Sequence, residues 1–546
     1  MLALSSSSPA LSVELGKAMA SPMVSFINAR TGHPVPCLER DGKKIPLHST
    51  FDPVKEGIRF SGHQIANGFL LFLGFAGGYQ IMPFLEQKDV SGILIIEESH
   101  EYLKAVISAI DLKDLILDSR VQWLIPSTMD DVKQLLLESY LPAVSGNLRL
   151  LPLKTRTNSS RAFFDSVASV VRKTIDNFSE DYSVQSYFGK RWFTNSIRNL
   201  KAAGESTTTI RPVRRACITG AGPGLEDSLD ILRNNKGDFS IIATDTSLPF
   251  LLQHKLVPDI VVSIDCQHIT YHHFLSGFPE EVPLVLDLAS PVFLSRLSRY
   301  PIFFTSGHPF SQFINTHWRK FPSIDTSGGN VSHAAVSLAC ALGAEEIHVY
   351  GADFSYPQGK SYARGTYLYP YFHSNSNRFK PVEKQFIDFI FRNESLAREE
   401  INGAIRYTTR PMVSYRNRLS LLAEQVENRI IHHSGDGLQI DEKPFSGPEN
   451  RHRIGTLLSS GRSNGSWQDF IRDYSRQLSE LPDAGVSFSS YMESLDQNQK
   501  ALCLTLFPAC AAIRRESPET RQTLPGAEII NEAKTWTMKV IADYLP

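Results

Sequence analysis

The sequence predicts an α/β protein with a Rossmann-like central domain, and three observations carry that prediction. Short apolar runs recur through the middle of the chain at Ala216 to Ile218, Phe239 to Ala243, Ile260 to Ile264 and Ile347 to Tyr350, each the length of a buried strand. Segments of helical spacing lie between them, such as Leu225, Leu229 and Leu232 on one stripe. The runs lead into Gly, Asp, Ser or Gln, residue types suited to the carboxyl edge of a doubly wound sheet, where ligands bind.

In chain order, residues 1–47 read as an irregular arm, 48–205 as an N-terminal Rossmann-like domain with a connector, 206–440 as the central domain and 441–546 as a C-terminal helical domain. The 546 residues, 42% of them hydrophobic, have room for three domains. The arm is Ser-rich and has no basic start, which argues against a signal peptide. The most apolar segment, Phe69 to Gly77, falls far short of the roughly 20 residues that span a bilayer. In the first domain Phe69 to Leu73 leads into Gly74-Phe75-Ala76-Gly77-Gly78, and Ile93 to Ile96 ends at Glu97-Glu98, an acidic pair where a ribose would sit. No catalytic group accompanies this half, and it reads as a degenerate scaffold. After residue 440 the pattern turns to helical pieces, Trp467 to Leu478, Lys500 to Arg514 and Ala527 to Tyr544.

A formal charge of −1 with no long basic block gives nucleic acid no electrostatic foothold. Six cysteines without a C-x-x-C pair point to free thiols in a reducing compartment.

The richest chemistry lies between residues 216 and 365. Gly220-Ala221-Gly222-Pro223-Gly224 is a tight strand-to-helix turn, a geometry that offers backbone N–H groups to phosphate. Leu225 stands where a dinucleotide fingerprint needs its third glycine, and no Lys-Ser or Lys-Thr follows, so ordinary NAD binding and a P-loop are both disfavoured. Asp245, Thr246 and Ser247 are expected to cap the next helix and to reach a ligand. Asp265-Cys266-Gln267 puts Gln267 where the second carboxylate of an Asp-x-Asp metal grip would stand, so metal-independent transfer is expected. Magnesium on Asp245, Asp265 and Asp353 remains an option for a triphosphate donor. The pairs His268/His272 and His432/His433 lack the Glu or Cys partners of a zinc site. Ser327-Gly328-Gly329-Asn330 opens a helix whose buried stripe is Val331, Ala335, Leu338 and Leu342, closed by Gly343. Gly351-Ala352-Asp353-Phe354 follows the last of these strands.

The order GAGPGL, ATDTS, PDIVVSID, GGNVSHAA, LGAEEIHVYGADF resembles the central domain of the motility accessory factor family, proteins proposed to glycosylate flagellin. That domain is also similar to archaeal 6-hydroxymethyl-dihydropterin diphosphokinases. The upstream segments LHSTFDPVKEGIRF and GFLLFLGFAGGYQI resemble the family's N-terminal domain, and YRNRLSLLAEQVENRIIHHSGDGLQI resembles the end of its central one, so the resemblance covers roughly residues 48 to 440.

A shorter similarity links LGAEEIHVYGADFSYPQGKSYA to bacterial sialyltransferases, in which two tyrosines hold the phosphate of a CMP-sugar. Tyr362 matches the second, and Tyr356 matches the first after a one-residue shift. Transfer from such a donor leaves negative charge on the departing phosphate and needs a base for the acceptor hydroxyl. His373, beyond the tyrosines in YLYPYFHSNSN, is the first candidate base, His333 the second and His308 the third.

Together the resemblances imply a cytoplasmic, sialyltransferase-like glycosyltransferase that moves a nonulosonic acid of the pseudaminic type from its CMP-sugar to Ser or Thr of flagellin. No cofactor beyond the donor is required on that reading. Two alternatives stand beside it: a magnesium-dependent pyrophosphokinase acting on a hydroxymethylpterin, and a non-catalytic flagellin-binding factor.

Overall fold

Two parallel sheets organise the chain. The structure, a computed structural model, describes residues 8–40, 42–392, 395–401, 403–427, 429–441, 458–485, 487–516 and 526–545. The chain divides into two compact units, Met1–Lys190 with Ser475–Asp543, and Arg191–Tyr474 with Tyr544–Pro546.

In the first unit, β1 (Gly68–Leu73), β2 (Val90–Ile96), β3 (Val121–Leu124) and β4 (Leu148–Pro152) form an all-parallel sheet in the order β3-β2-β1-β4. Side chains alternate between faces along a strand, so a sheet covered on both sides needs an unbroken apolar run. Leu70, Phe72, Ile93 and Ile95 accordingly enter one core, while Leu71, Leu73, Leu94 and Ile96 enter the opposite one.

The expected irregular arm is instead folded. A helix at Pro9–Lys17 precedes an antiparallel sheet of Val24–Asn28, Pro34–Arg40 and Lys43–Pro46. Leu15 and Leu47 are fully buried in the core below β1 and β2, and that burial, about 1.5–3 kcal/mol for a leucine, anchors a segment that reads from the sequence as an irregular arm.

In the second unit, β5 (Arg215–Thr219), β6 (Ser240–Thr244), β7 (Ile260–Ser263), β8 (Leu284–Asp287), β9 (Pro301–Phe304), β10 (Glu346–Tyr350) and β11 (Arg429–His433) are all parallel, ordered β9-β8-β7-β6-β5-β10-β11. Chain direction across the sheet therefore reverses between β5 and β10, the topological switch point where open α/β sheets bind ligands. The helix Val331–Ala341 starts where Asn330 accepts the backbone N–H of His333 at 3.0 Å, and it buries Ala335, Leu338 and Ala339 against the sheet. A small antiparallel sheet of Tyr356–Pro357, Ala404–Thr408 and Ala397–Ile401 follows β10 at the same edge.

The expected connector is one 45-residue helix, Arg161–Glu205, and the division between the units falls within it. In the second unit, two of its asparagines reach the loops after β7 and β8. Asn195 donates to the carbonyls of Cys266 and Ala289 at 3.1 and 2.8 Å, and Asn199 to those of Leu288 and Ser290 at 2.8 Å each.

The C-terminal helices do not form a unit of their own. Residues 442–457, at the start of the expected helical domain, lie outside the described residues. Beyond them the chain is shared. Phe470 and Tyr474 pack on Phe310 and Phe313 of the second unit, whereas Arg514 donates to the carbonyls of Ala143 and Val144 in the first. Among the described residues no helix is long and apolar enough to cross a membrane, and none of the six cysteines is in a disulfide, five of them being buried.

Candidate functional site

The two loops at the switch point interlock. Gly220 and Gly222 donate their N–H groups to the carbonyls of Tyr350 and Gly351, each at 2.7 Å, and Gly224 donates to Asp353 Oδ2 at 2.8 Å. A Cβ on Gly220 would stand 2.4 Å from the Gly351 oxygen, and one on Gly222 would stand 2.6 Å from Asp353 Oδ2. Gly351 itself has φ +66°. The glycines are thus required by the packing of the two turns. This corrects the expected phosphate cradle: three of its N–H groups are already used, and Pro223 has none to give. Asp353 is 2% exposed with Oδ1 unpartnered, and burial pushes its carboxyl up to about 7.

One strand over, Asp245 is fully buried. It accepts from Thr246 N–H at 2.7 Å, Thr246 Oγ1 at 3.0 Å and Ser263 Oγ at 2.6 Å, and it lies 3.6 Å from His273 Nδ1. Burial pushes that carboxyl up, but His273 and the hydroxyls outweigh it and hold Asp245 below the usual range. Contrary to expectation, neither Asp245 nor Ser247 caps the helix Leu248–Gln253. Ser247 is sealed and donates to the carbonyls of Thr219 and Thr244, stitching β5 to β6, and of that trio only Thr246 is part-exposed. After β7, Asp265 accepts the Gln267 N–H at 2.9 Å and is raised by burial.

Ser327, Gly328, Gly329 and Asn330 form the turn before Val331–Ala341. Gly329, at φ +72°, leaves room for Tyr415, whose Cε1 would be 3.1 Å from any Cβ there, and Arg418 donates to the Ser327 carbonyl. His333 folds back under this turn, with Nε2 3.0 Å from Asp325 Oδ2 and Nδ1 sealed without a partner.

The tyrosine segment closes the ring of groups. Phe354 takes a left-handed φ of +48° after Asp353, Tyr356 pairs with Tyr407 across the small sheet, and Tyr362 lies 6.4 Å from Tyr367 by ring centroids. Burial raises the hydroxyls of Tyr356, Tyr362 and Tyr367, while Arg392 pulls all three the other way. Tyr367 also feels Asp245 and Asp265 and stands 4.6 Å from the His273 ring, while Tyr362 feels Tyr415. Loops after β6, β7 and β10 and the segment before Val331 therefore meet around one set of carboxylates, phenols and cations. His373 is exposed at the end of the helix Leu368–Ser374, and His308 is stacked on Trp192 at 3.9 Å beyond β9.

Sequence reasoning missed His273, Tyr367, Tyr415 and Arg392. The run HITYHHF had been weighed only for zinc, and it forms a 3-10 turn with no periodicity to mark its inward face. Among the described residues no three His, Cys, Asp or Glu side chains are grouped to hold a metal ion.

Residues 190–359 match the family model described as 6-hydroxymethylpterin diphosphokinase MptE-like. Uncharacterized proteins of Treponema pallidum (strain Nichols) are similar to the chain. One is 32% identical over 171 residues, 30% of this chain and 80% of its own length. Another is 35% identical over 148 residues, 26% of this chain and 52% of its own. A third is 26% identical over 245 residues, 43% of this chain and 51% of its own, so the chain spans about half of these last two. By structure the chain is similar to the MAf glycosyltransferase from Magnetospirillum magneticum AMB-1, with a TM-score of 0.58 and 15% identity over 100% of this chain and 95% of that one. At that identity what is shared is the fold. The chain therefore belongs to one family with the Treponema pallidum protein of which it covers 80%, carries an MptE-like central domain and shares the fold of the MAf glycosyltransferase over its full length.

Proposed function

We propose that this chain is a glycosyltransferase that moves a nonulosonic acid of the pseudaminic type from a CMP-sugar to Ser or Thr of flagellin, in the cytoplasm and by a sialyltransferase-like, metal-independent route. The observation that carries this reading is the meeting of Tyr356, Tyr362, Tyr367 and Arg392 with Asp245, Asp265 and the Ser327–Asn330 turn beside the switch point. Phenol hydroxyls and a guanidinium are donors suited to a departing phosphate, and neutralising that charge as it forms is usually the largest part of such catalysis. The structural neighbour is a glycosyltransferase by name, which supports the same reading. Because the glycine turn's N–H groups are spent, phosphate recognition falls to the tyrosines, Arg392 and the Ser327–Asn330 turn.

A second reading, magnesium-dependent pyrophosphoryl transfer to a hydroxymethylpterin, is favoured by the description of the matching family model. Titration calorimetry with CMP, CDP and ATP, each with and without magnesium, separates the two. CMP binding that survives chelation is expected; ATP binding that needs magnesium, with CMP silent, would replace the first reading by the second. Silence with all three would leave a flagellin-binding factor without catalysis.

A further inference from the structure

We propose that His273, oriented by Asp245, is the base that takes the proton from the acceptor hydroxyl. The inference rests on the glycosyl-transfer reading and goes beyond it by naming the group that activates the acceptor.

A catalytic imidazole needs one nitrogen fixed by an acceptor and the other open to substrate. His273 has that arrangement. Its Nδ1 is sealed from solvent, has no hydrogen-bond partner and lies 3.6 Å from Asp245 Oδ2, so a short adjustment places its proton on the carboxylate. Nε2 is not among the sealed atoms, and the residue keeps 7% of its surface exposed. Asp245 is held in turn by Thr246 and Ser263 on three hydrogen bonds. The titratable groups around the ring are Asp245 and Asp265 at the strand ends and Tyr367, whose ring is 4.6 Å away.

The other histidines lack one requirement each. His333 spends Nε2 on Asp325 and has Nδ1 sealed, so neither nitrogen is free. His373 is exposed, with no carboxylate against it among the described residues. His308 faces Asp287, but it follows β9, three strands from β6 and so about 14 Å along the sheet.

In the step, the acceptor oxygen forms a bond to the anomeric carbon while the bond from that carbon to the CMP phosphate oxygen breaks. The electron pair leaves on the phosphate, and the hydroxyl proton passes to His273 Nε2 and then to solvent. Asp245 is a positioning residue, since it acts through the imidazole.

The test uses the full chain with CMP-pseudaminic acid and flagellin. His273→Ala and His273→Gln are expected to bind CMP within about twofold of wild type, which also certifies folding, and to lose roughly 10²- to 10⁴-fold in kcat. The loss of rate toward acid that a histidine base imposes is expected to vanish in both. Asp245→Asn should lower kcat with KM unchanged and keep an acid limb, a split that a merely structural role does not produce. Transfer at wild-type rates by His273→Ala would overturn the base assignment alone. A wild-type chain that neither binds CMP nor transfers would overturn the donor reading and the base assignment with it.

Discussion

Both sheets carry a glycine turn at a switch point, and the two turns are filled in opposite ways. In the first unit Gly74 follows β1, and Arg156, just beyond β4, lies across it. A Cβ on Gly74 would stand 2.7 Å from Arg156 Cγ, and the guanidinium is neutralised by Glu97 at 2.5 Å under the ring of Tyr102. Glu97 also accepts the N–H of Phe75 at 2.9 Å. The place where a nucleotide would enter is occupied by an ion pair of the protein's own, with 3% and 0% side-chain exposure. In the second unit Asp353, three residues beyond the matching strand, is a buried carboxyl that accepts the Gly224 N–H, and among the described residues no cation pairs with it. One rim is closed by an ion pair; the other leaves a buried carboxyl oxygen without a partner.

The comparison breaks most visibly at Arg156. Arg156→Ala strands Glu97 as an unpaired buried carboxylate, and unfolding in urea is expected to show a loss of about 3–5 kcal/mol with CMP binding unchanged. Unfolding unchanged would mean that the pair is no strut, and CMP affinity lost would mean that the first rim is more than one.

Next comes Asp353. A carboxyl whose folded value is raised favours the folded chain below the ordinary aspartate range, and that advantage is lost as pH rises to about 7. Asp353→Asn keeps an oxygen for Gly224 and removes the titration. Relative to wild type its stability should therefore improve by on the order of 4 kcal/mol between acid and mildly alkaline pH. A gap in urea midpoints that does not change with pH would refute this.

Gly222→Ala should cost about 1–3 kcal/mol by pushing a methyl toward Asp353 Oδ2 and the Gly351 oxygen, a clash that an Asp353→Ala background relieves only in part, since the backbone oxygen at 2.8 Å stays. Additive unfolding energies would show that the contact is not what excludes the methyl. The smallest effect is expected from Tyr362→Phe, a several-fold loss of CMP affinity worth about 1 kcal/mol, read by calorimetry. Unchanged affinity would remove that hydroxyl from the donor site.

How far the sequence reached follows from what kind of signal each feature leaves. β1, β2, β5, β6, β7 and β10 were legible because a sheet buried on both faces writes an unbroken apolar run, whereas β3, β4, β8, β9 and β11 were not singled out. Asn330 was legible as the start of a helix because a cap is a local contact. Arg156 with Glu97 was not, since a pair 59 residues apart leaves no periodic trace. Ser247 looked like a ligand residue because its type and place were right, but only coordinates reveal that its hydroxyl is spent on two carbonyls. His273 was hidden by the same limit in reverse, an unremarkable residue given its chemistry by a carboxylate 28 positions earlier.

Asn195 and Asn199 set a practical boundary for anyone dissecting the chain. Four carbonyls in the loops beyond β7 and β8 draw their donors from this single helical face, well upstream of the first central strand. A fragment cut at residue 206, where the sequence alone would place the seam, leaves those oxygens thirsty and the rim slack. Truncation that begins before Arg191 keeps the brace with the loops it steadies.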